Sequence, residues 1–339
     1  MFKKQLALYS AIILLIILII VSYFYAKNNQ DPPIYNHDAR FENSIIVEGI
    51  DVSYYQGESI DWGSLKDEGI DFVMVRCAYR GSDTGDINID ENYLLNIREA
   101  QDNGIMVGAY IYSQAITKEE ALEEANYLIE LVKNEKITMP LTIDYEIYED
   151  GRLDNAINSN TLDKNDITDI CLAFCEQVEN AGYESMVYGN RNFLITKHDT
   201  DRLANNTNIW MANYTKQTNY GGNYSIWQYT SKGLTSGING NVDKNFWYIV
   251  DTSFEPLDET KRDISNCKLR LTDDSFLYLG RTVEPEVICL DNGNLLIENR
   301  DYYISYVNNS NPGIAHTIVS GIGNYSGKTI LSFKINSLF

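Results

Sequence analysis

Asp144 and Glu146 stand two residues apart in the stretch LTIDYEIY, Leu141 to Tyr148, which otherwise has the apolar, β-branched make-up of a buried strand. Side chains on an extended strand alternate between its faces, so the two acids share one face, with Cα atoms roughly 6.5–7 Å apart, and Tyr145 takes the other. Ionised groups are costly to bury unless they are paired or hydrogen-bonded. The motif therefore marks either a structural hydrogen-bond network or a site at which acid strength is tuned. Two carboxylates alone do not choose between these.

The elements around the pair narrow the choice. Short β-rich runs alternate with helical patterns, which points to an α/β domain with a mainly parallel sheet. Strand candidates are Gly49 to Val52, Phe72 to Cys77, Met106 to Tyr112, Leu141 to Asp144, Ser185 to Tyr188, Ile209 to Ala212, Ser225 to Gln228 and a short Asn241 to Asp243. Eight strands are the number that closes a barrel. Helices are expected over Asn92 to Asn103, over Thr117 to Asn134, which opens with the capping signature TKEE, and over Asp166 to Ala181. Beyond Tyr188 the helical signal weakens, so the barrel should be irregular. In a parallel barrel the active site forms at the carboxyl ends of the strands. The polar residues expected at those ends are Asp51 and Ser53, Arg76 and Tyr79, then Tyr110, Tyr112, Ser113 and Gln114. They continue with Asp144 and Glu146, Tyr188 and Asn190, Asn213 and Tyr214, Gln228 and Tyr229, and finally Asp243. Asp51, Asp144, Glu146 and Asp243 would then converge on one mouth.

Composition excludes several alternatives. A net charge of −21 would repel nucleic acid and anionic membrane surfaces, so a neutral or cationic polymer is the better partner. The three scattered histidines, His37, His198 and His316, argue against a zinc site, and no cofactor is implied. The 25 tyrosines fit sugar-stacking platforms or a general compositional bias. The five cysteines lack CxxC spacing: Cys171 and Cys175 fit one buried helix face, and Cys267 and Cys289 could pair.

The N-terminus carries its own signal. From Gln5 to Ala26 there is no charge, which supplies the roughly 20 apolar residues that cross a bilayer core. Lys3 and Lys4 precede this run, so the N-terminus should stay cytoplasmic with the rest exported. A signal anchor fits better than a cleaved signal peptide, for which the apolar run is too long and a small-residue cleavage motif is not evident. The expected organisation is a transmembrane helix over 1–26, a polar, proline-containing stalk over 27–45, a catalytic domain over 46–252 and a small β module over 262–339.

Several acids with aromatic walls and no metal ligands fit glycoside hydrolysis. There, one carboxylic acid of raised pKa protonates the leaving oxygen while a second carboxylate stabilises the developing cation. Glu146 has the longer reach of the pair and is the natural proton donor, with Asp144 ionised behind it. Tyr55, Arg76, Tyr79, Tyr110, Tyr112, Tyr188, Asn190, Tyr214 and Gln228 are the candidate substrate-binding residues.

The run of motifs also resembles a known family, the family 25 glycoside hydrolases, lysozymes of the N-acetylmuramidase type. The resemblance is carried in order by GIDVSYYQGESIDW (Gly49 to Trp62), GIDFVMVRCAYRG (Gly69 to Gly81), GIMVGAYIYSQAIT (Gly104 to Thr117) and PLTIDYE (Pro140 to Glu146). It continues through AGYESMVYGN (Ala181 to Asn190), IWMANY (Ile209 to Tyr214), SIWQYTSKG (Ser225 to Gly233) and INGNVDKN (Ile238 to Asn245). It implies an irregular, TIM-like β/α barrel, with Asp51, Asp144, Glu146 and Asp243 as the active-site acids and Glu146 as proton donor. The implied reaction cleaves the β-1,4 bond between N-acetylmuramic acid and N-acetylglucosamine in peptidoglycan. Configuration would be retained, either with help from the substrate's own acetamido group or by direct attack of Asp144. Tyr55 departs from the family pattern, standing where a histidine is common. The rival expectation is a wall-binding protein that keeps the barrel without catalysis.

After the barrel, YLGRTVEPEVICLDNG (Tyr278 to Gly293) and the stretch from Asn299 to Ile335 resemble a bacterial immunoglobulin-like repeat, implying a small all-β sandwich that acts as spacer or wall contact. The expected location is the cell membrane, single-pass, with the catalytic domain extracellular; secretion after signal cleavage is the alternative.

Overall fold

A period-two pattern of side chains runs through the strands and sets the architecture. The computed structural model describes residues 34–250 and 260–337. The apolar run from Gln5 to Ala26 lies outside them, and among the described residues no helix is long and apolar enough to cross a membrane.

The strands of the first part are β1 (Ser44–Val52), β2 (Ile70–Arg80), β3 (Ile87–Ile89), β4 (Met106–Ser113), β5 (Leu141–Tyr145), β6 (Ser185–Asn190), β7 (Asn208–Ala212), β8 (Ile226–Gly233) and β9 (Val242–Val250). Their order is β1-β9-β8-β7-β6-β5-β4-β2-β3, and β1 also pairs with β2. Eight strands thus close a barrel, with β3 attached antiparallel to the outer end of β2. The barrel is mixed. Neighbours from β1 through β2, β4, β5, β6 and β7 to β8 run parallel, and β9 is antiparallel to both β8 and β1.

Helices cover the outside: α1 (Trp62–Asp67), α2 (Tyr93–Asp102), α3 (Lys118–Val132), α4 (Arg152–Asn158), α5 (Lys164–Asn180), α6 (Arg191–Lys197) and α7 (Thr200–Ala204). Thr117 caps α3 by accepting from the Glu120 N–H at 3.2 Å, as the TKEE signature anticipates. In α5 the residues Ile167, Ile170, Cys171, Phe174, Cys175 and Val178 recur at helical spacing and are buried. After β6 the helices are only seven and five residues long, which is the weakened signal of the second half.

Inside the barrel, alternate residues form layers. Val47, Phe72, Met106, Met186 and Trp247 fill the lower end, and Met74, Trp210 and Ile226 the middle. Gly49 and Gly108 leave room for this packing, since a Cβ on Gly49 would strike the Phe72 ring and one on Gly108 the Met74 sulfur. The same alternation continued upward places Asp51, Arg76, Tyr110, Asp144, Tyr188 and Gln228 at the mouth. The barrel's packing begins ahead of residue 46: Phe41 is buried, stacked on Tyr248 with ring centroids 3.8 Å apart.

The second part is all β. It comprises β10 (Arg262–Asp263), β11 (Lys268–Leu271), β12 (Ser275–Leu277), β13 (Val287–Asp291), β14 (Asn294–Leu295), β15 (Tyr302–Val307), β16 (Gly313–Gly321), β17 (Tyr325–Ser326) and β18 (Lys328–Asn336). A three-stranded sheet β11-β13-β14 and a four-stranded sheet β12-β18-β16-β15 enclose a core of Ile264, Cys289, Leu296, Tyr302 and Val319. Cys267 and Cys289 are neighbours in this region, and both are free thiols; the pairing that the sequence allowed is not made.

Two expectations need correction. The eighth strand is not a short segment ending at Asp243 but the nine-residue β9, in which Asp243 is the second residue. It still reaches the mouth, because an antiparallel strand brings its start to the end where its neighbours finish. Glu146, in turn, lies one residue beyond β5 and not within it.

Candidate active site

Every candidate residue except Asn190 lines one cleft of about 700 Å³ at the mouth of the barrel: Asp51, Tyr55, Arg76, Tyr79, Tyr110, Tyr112, Asp144, Glu146, Tyr188, Tyr214, Gln228 and Asp243. The strand register explains the grouping. Tyr112 of β4, Asp144 of β5 and Tyr188 of β6 are side by side, and Asp51 of β1 stands directly across from Asp243 of β9. Tyr145 points the other way, where its hydroxyl donates to the Ala115 carbonyl at 2.6 Å and its ring packs edge-on against Phe193.

Asp51 is buried and well satisfied. Its Oδ2 accepts from Gln228 Nε2 and from Asn245 Nδ2, each at 2.9 Å. Both amides are themselves fixed: Gln228 Oε1 accepts from the hydroxyls of Tyr188 at 2.9 Å and Tyr214 at 2.8 Å, and Asn245 Oδ1 from the indole N–H of Trp210 at 2.8 Å. Trp210 forms the floor, with its ring edge-on to Tyr188 at 4.6 Å and to Tyr110 at 5.9 Å. Burial, reinforced by the charge of Asp243, still pushes Asp51 up to about 8.

Glu146 is raised to about 7, first by burial and then by Asp243, and burial raises Asp243 to about 6. The backbone of Glu146 is held in place by Gln114, whose Nε2 donates to its carbonyl at 3.0 Å. Asp144 is raised as well. Burial and then the charges of Glu146 and Asp51 move it well above the usual carboxylate range, against a lowering by Arg76. Its Oδ1 is buried with no hydrogen-bond donor. This corrects the expectation of an Asp144 already ionised behind Glu146: burial without a donor to Oδ1 favours its neutral form in the free protein.

One wall is aromatic and cationic. The Arg76 guanidinium lies 5.0 Å from the ring centroid of Tyr54 and 5.5 Å from those of Tyr55 and Tyr79. Asp90 holds it, accepting from Arg76 Nε at 2.8 Å and from the Tyr54 backbone N–H at 3.0 Å. Tyr55 is 73% exposed, its ring tilted against that of Tyr54 with centroids 4.2 Å apart and the two hydroxyls hydrogen-bonded, and it offers a ring to the cleft.

Asn190 sits apart. It caps α6, its Oδ1 accepting from the Phe193 N–H at 2.9 Å, and it lines a neighbouring cavity. Three residues of the site were not singled out from sequence, Trp210, Asn245 and Asp90, and Gln114 was expected at a strand end but not as the group that holds Glu146. Asn245 follows Asp243 by two residues, so the alternation that pairs Asp144 with Glu146 would have found it. Asp90 follows β3 in a loop and carried no such signal.

No group of three or more histidine, cysteine or acidic residues suited to hold a metal ion occurs among the described residues. Clustered acids of raised proton affinity, walled by tyrosines at a barrel mouth, make a site of the glycosidase kind. Residues 50–238 match the sequence model of the glycosyl hydrolases family 25, and the chain belongs to that family. Lysozyme M1 of Streptomyces globisporus is 26% identical over 207 residues, covering 59% of this chain and 67% of the relative. The modular autolysin LytC of Streptococcus pneumoniae, solved in complex with a synthetic peptidoglycan ligand, is 28% identical with a TM-score of 0.51. That match covers 60% of this chain, which spans about half of LytC, 47% of its length. The spore cortex lytic enzyme SleM of Clostridium perfringens is similar in fold, with a TM-score of 0.53 at 15% identity over 85% of this chain and 98% of SleM. This likeness extends past the barrel into the β module.

Proposed function

We propose that the protein is a peptidoglycan hydrolase that cleaves the β-1,4 bond between N-acetylmuramic acid and N-acetylglucosamine, with Glu146 as acid and then base. The observation that carries this reading is the pairing of a proton-bearing acid near neutrality, Glu146, with a buried acceptor that lacks a donor, Asp144 Oδ1. An acetamido N–H on the bound sugar supplies that donor. As the acetamido oxygen attacks the anomeric carbon, positive charge grows on the group, and the Asp144 carboxylate compensates it. Glu146 gives its proton to the glycosidic oxygen, which leaves with the bonding electrons, and later takes one from water. Net configuration is retained. Lysozyme M1 and the peptidoglycan complex of LytC support the choice of substrate. Purified cell walls incubated with the protein should release reducing sugar ends whose reduced termini are muramic acid. Binding of walls without release would leave the non-catalytic alternative.

The N-terminal run from Gln5 to Ala26 is proposed as a membrane anchor followed by a stalk, which leaves residues 46–252 outside the cell as the catalytic domain. Retention in the membrane fraction through an alkaline carbonate wash supports it, and a soluble mature form beginning near Asn28 rejects it. Residues 262–339 are proposed to be an immunoglobulin-like module; two sheets closed over a shared core support that reading. A crystal structure whose strand connections are not those of a Greek-key sandwich would reject it.

A further inference from the structure

Glu146, Tyr188 and Tyr214 border not only the cleft but also a second, open cavity of about 380 Å³, which Asn190, Arg191 and Asn213 also line. Glu146 is the only acid in its lining, at the edge shared with the cleft, and the opposite side carries donors. Asn190 commits its Oδ1 to the Phe193 N–H at 2.9 Å and Asn213 its Oδ1 to the Thr215 hydroxyl at 3.2 Å, which leaves the Nδ2 group of each to the cavity. Arg191 adds a cation. It is half-buried, and its Nε is buried with no acceptor. The chain's net charge is −21, and the arginines of the cleft, Arg76 and Arg80, are each held by a carboxylate, Asp90 and Glu124. Among the described residues the Arg191 guanidinium has no carboxylate partner, and beside two amide donors it is a receptor for an anion with several acceptor lone pairs.

The glycan backbone of peptidoglycan offers no anion. Its negative groups are the free carboxylates of the peptide that hangs from the lactyl ether of muramic acid. We propose that Arg191, with Asn190 and Asn213, binds a stem-peptide carboxylate and so fixes the peptide-bearing sugar on this side of Glu146. The inference rests on the peptidoglycan reading above and adds a determinant of specificity to it. It also answers an electrostatic difficulty, because a mouth holding four acids would otherwise disfavour an acidic substituent.

The test titrates the full-length protein calorimetrically with a disaccharide-peptide muropeptide, with the same muropeptide after amidation of its carboxylates, and with the peptide-free disaccharide bearing only the lactyl carboxylate. Cleavage of the corresponding glycan strands is followed separately. The acidic muropeptide should bind about tenfold more tightly than the amidated and the peptide-free forms, in line with one charge-assisted pair. Arg191→Gln should bring that ratio close to one, and Arg191→Lys should keep part of it. A ratio near one in the natural protein, a ratio that survives in Arg191→Gln, or equally tight binding of the peptide-free disaccharide would each overturn the assignment. Arg191-dependent binding without release of reducing ends would sink the muramidase reading and leave this inference standing. Cleavage indifferent to peptide charge would do the reverse.

Discussion

Glu146 and Asp144 differ in one atom of reach and in what surrounds them, and that difference assigns their parts. Glu146→Gln keeps the shape but has no proton to give, so turnover on cell walls should fall by roughly 100 to 10,000-fold while glycan binding is retained. Near-normal rates would remove Glu146 from the donor role. The same substitution has a stability signature. The folded-state pKa of Glu146, about 7, lies above its ordinary 4.5, so its contribution is fully present below about 4.5 and is lost as pH rises through about 7. Glu146→Gln escapes that loss: its melting temperature should match the natural protein near pH 4 and exceed it at pH 8, by the equivalent of about 3 kcal/mol. A constant offset across that range would contradict the raised pKa. For catalysis, kcat/KM should decline above about pH 7 as Glu146 loses its proton, an apparent value that belongs to the coupled cluster with Asp51 and Asp243. Asp144→Asn should also lose most activity, and walls with N-deacetylated muramic acid should resist cleavage, since neither then offers the acetamido–carboxylate pair. A glycosyl ester trapped on Asp144 would replace the acetamido oxygen by the carboxylate as nucleophile.

At the scale of elements, β9 is decisive, because its reversed direction brings Asp243 and Asn245 over Asp51. Asn245 joins the Trp210 indole to the Asp51 carboxylate, both buried. Asn245→Ala would leave the indole N–H without an acceptor and the carboxylate short of a donor, and should cost about 2–3 kcal/mol in urea unfolding. A change under about 0.5 kcal/mol would mean that the two groups find other partners. Seven of the eight barrel strands were legible in the sequence, because alternation, β-branched composition and glycine-bounded ends are local signals. The direction and length of β9 were not: whether a strand ends or begins at the mouth depends on the partners it meets, and Phe246 to Val250 has no turn signal to mark its end. Polar strand-end residues converged on one cleft because the period-two rule holds along each strand. Asn190 fell outside the cleft because a side chain at a strand–helix junction has a competing use, capping α6. Asp90 was invisible for the opposite reason: only the tertiary fold brings it to Arg76.

At the scale of the whole molecule, the β module closes the end of the barrel opposite the mouth. Val307, Ile318 and Ile330 join the same apolar cluster as Val47, Phe72, Met106 and Trp247, so the barrel interior and the module share a core. A buried ion pair fixes the junction: Lys66 Nζ donates to Asp71 Oδ1 at 2.5 Å, while Asp71 Oδ2 accepts from the Asn308 N–H at 2.6 Å. Lys66 Nζ also reaches the Tyr306 carbonyl at 3.2 Å, and Ser310 donates to the Lys66 carbonyl at 2.8 Å. An element so placed cannot touch substrate in the cleft, but its loss would uncover apolar barrel side chains and strip Asp71 of a donor. Barrel and module should therefore melt in one cooperative transition, and Val307→Ala, by opening a cavity at the junction, should lower it by about 1–3 kcal/mol without changing kcat. A spacer that merely trails the enzyme behaves otherwise: calorimetry would resolve two transitions, and Val307→Ala would move only the module's. Single-transition melting with unaltered kcat would make the module part of the scaffold that holds the acids in register, whatever else its outer faces contact.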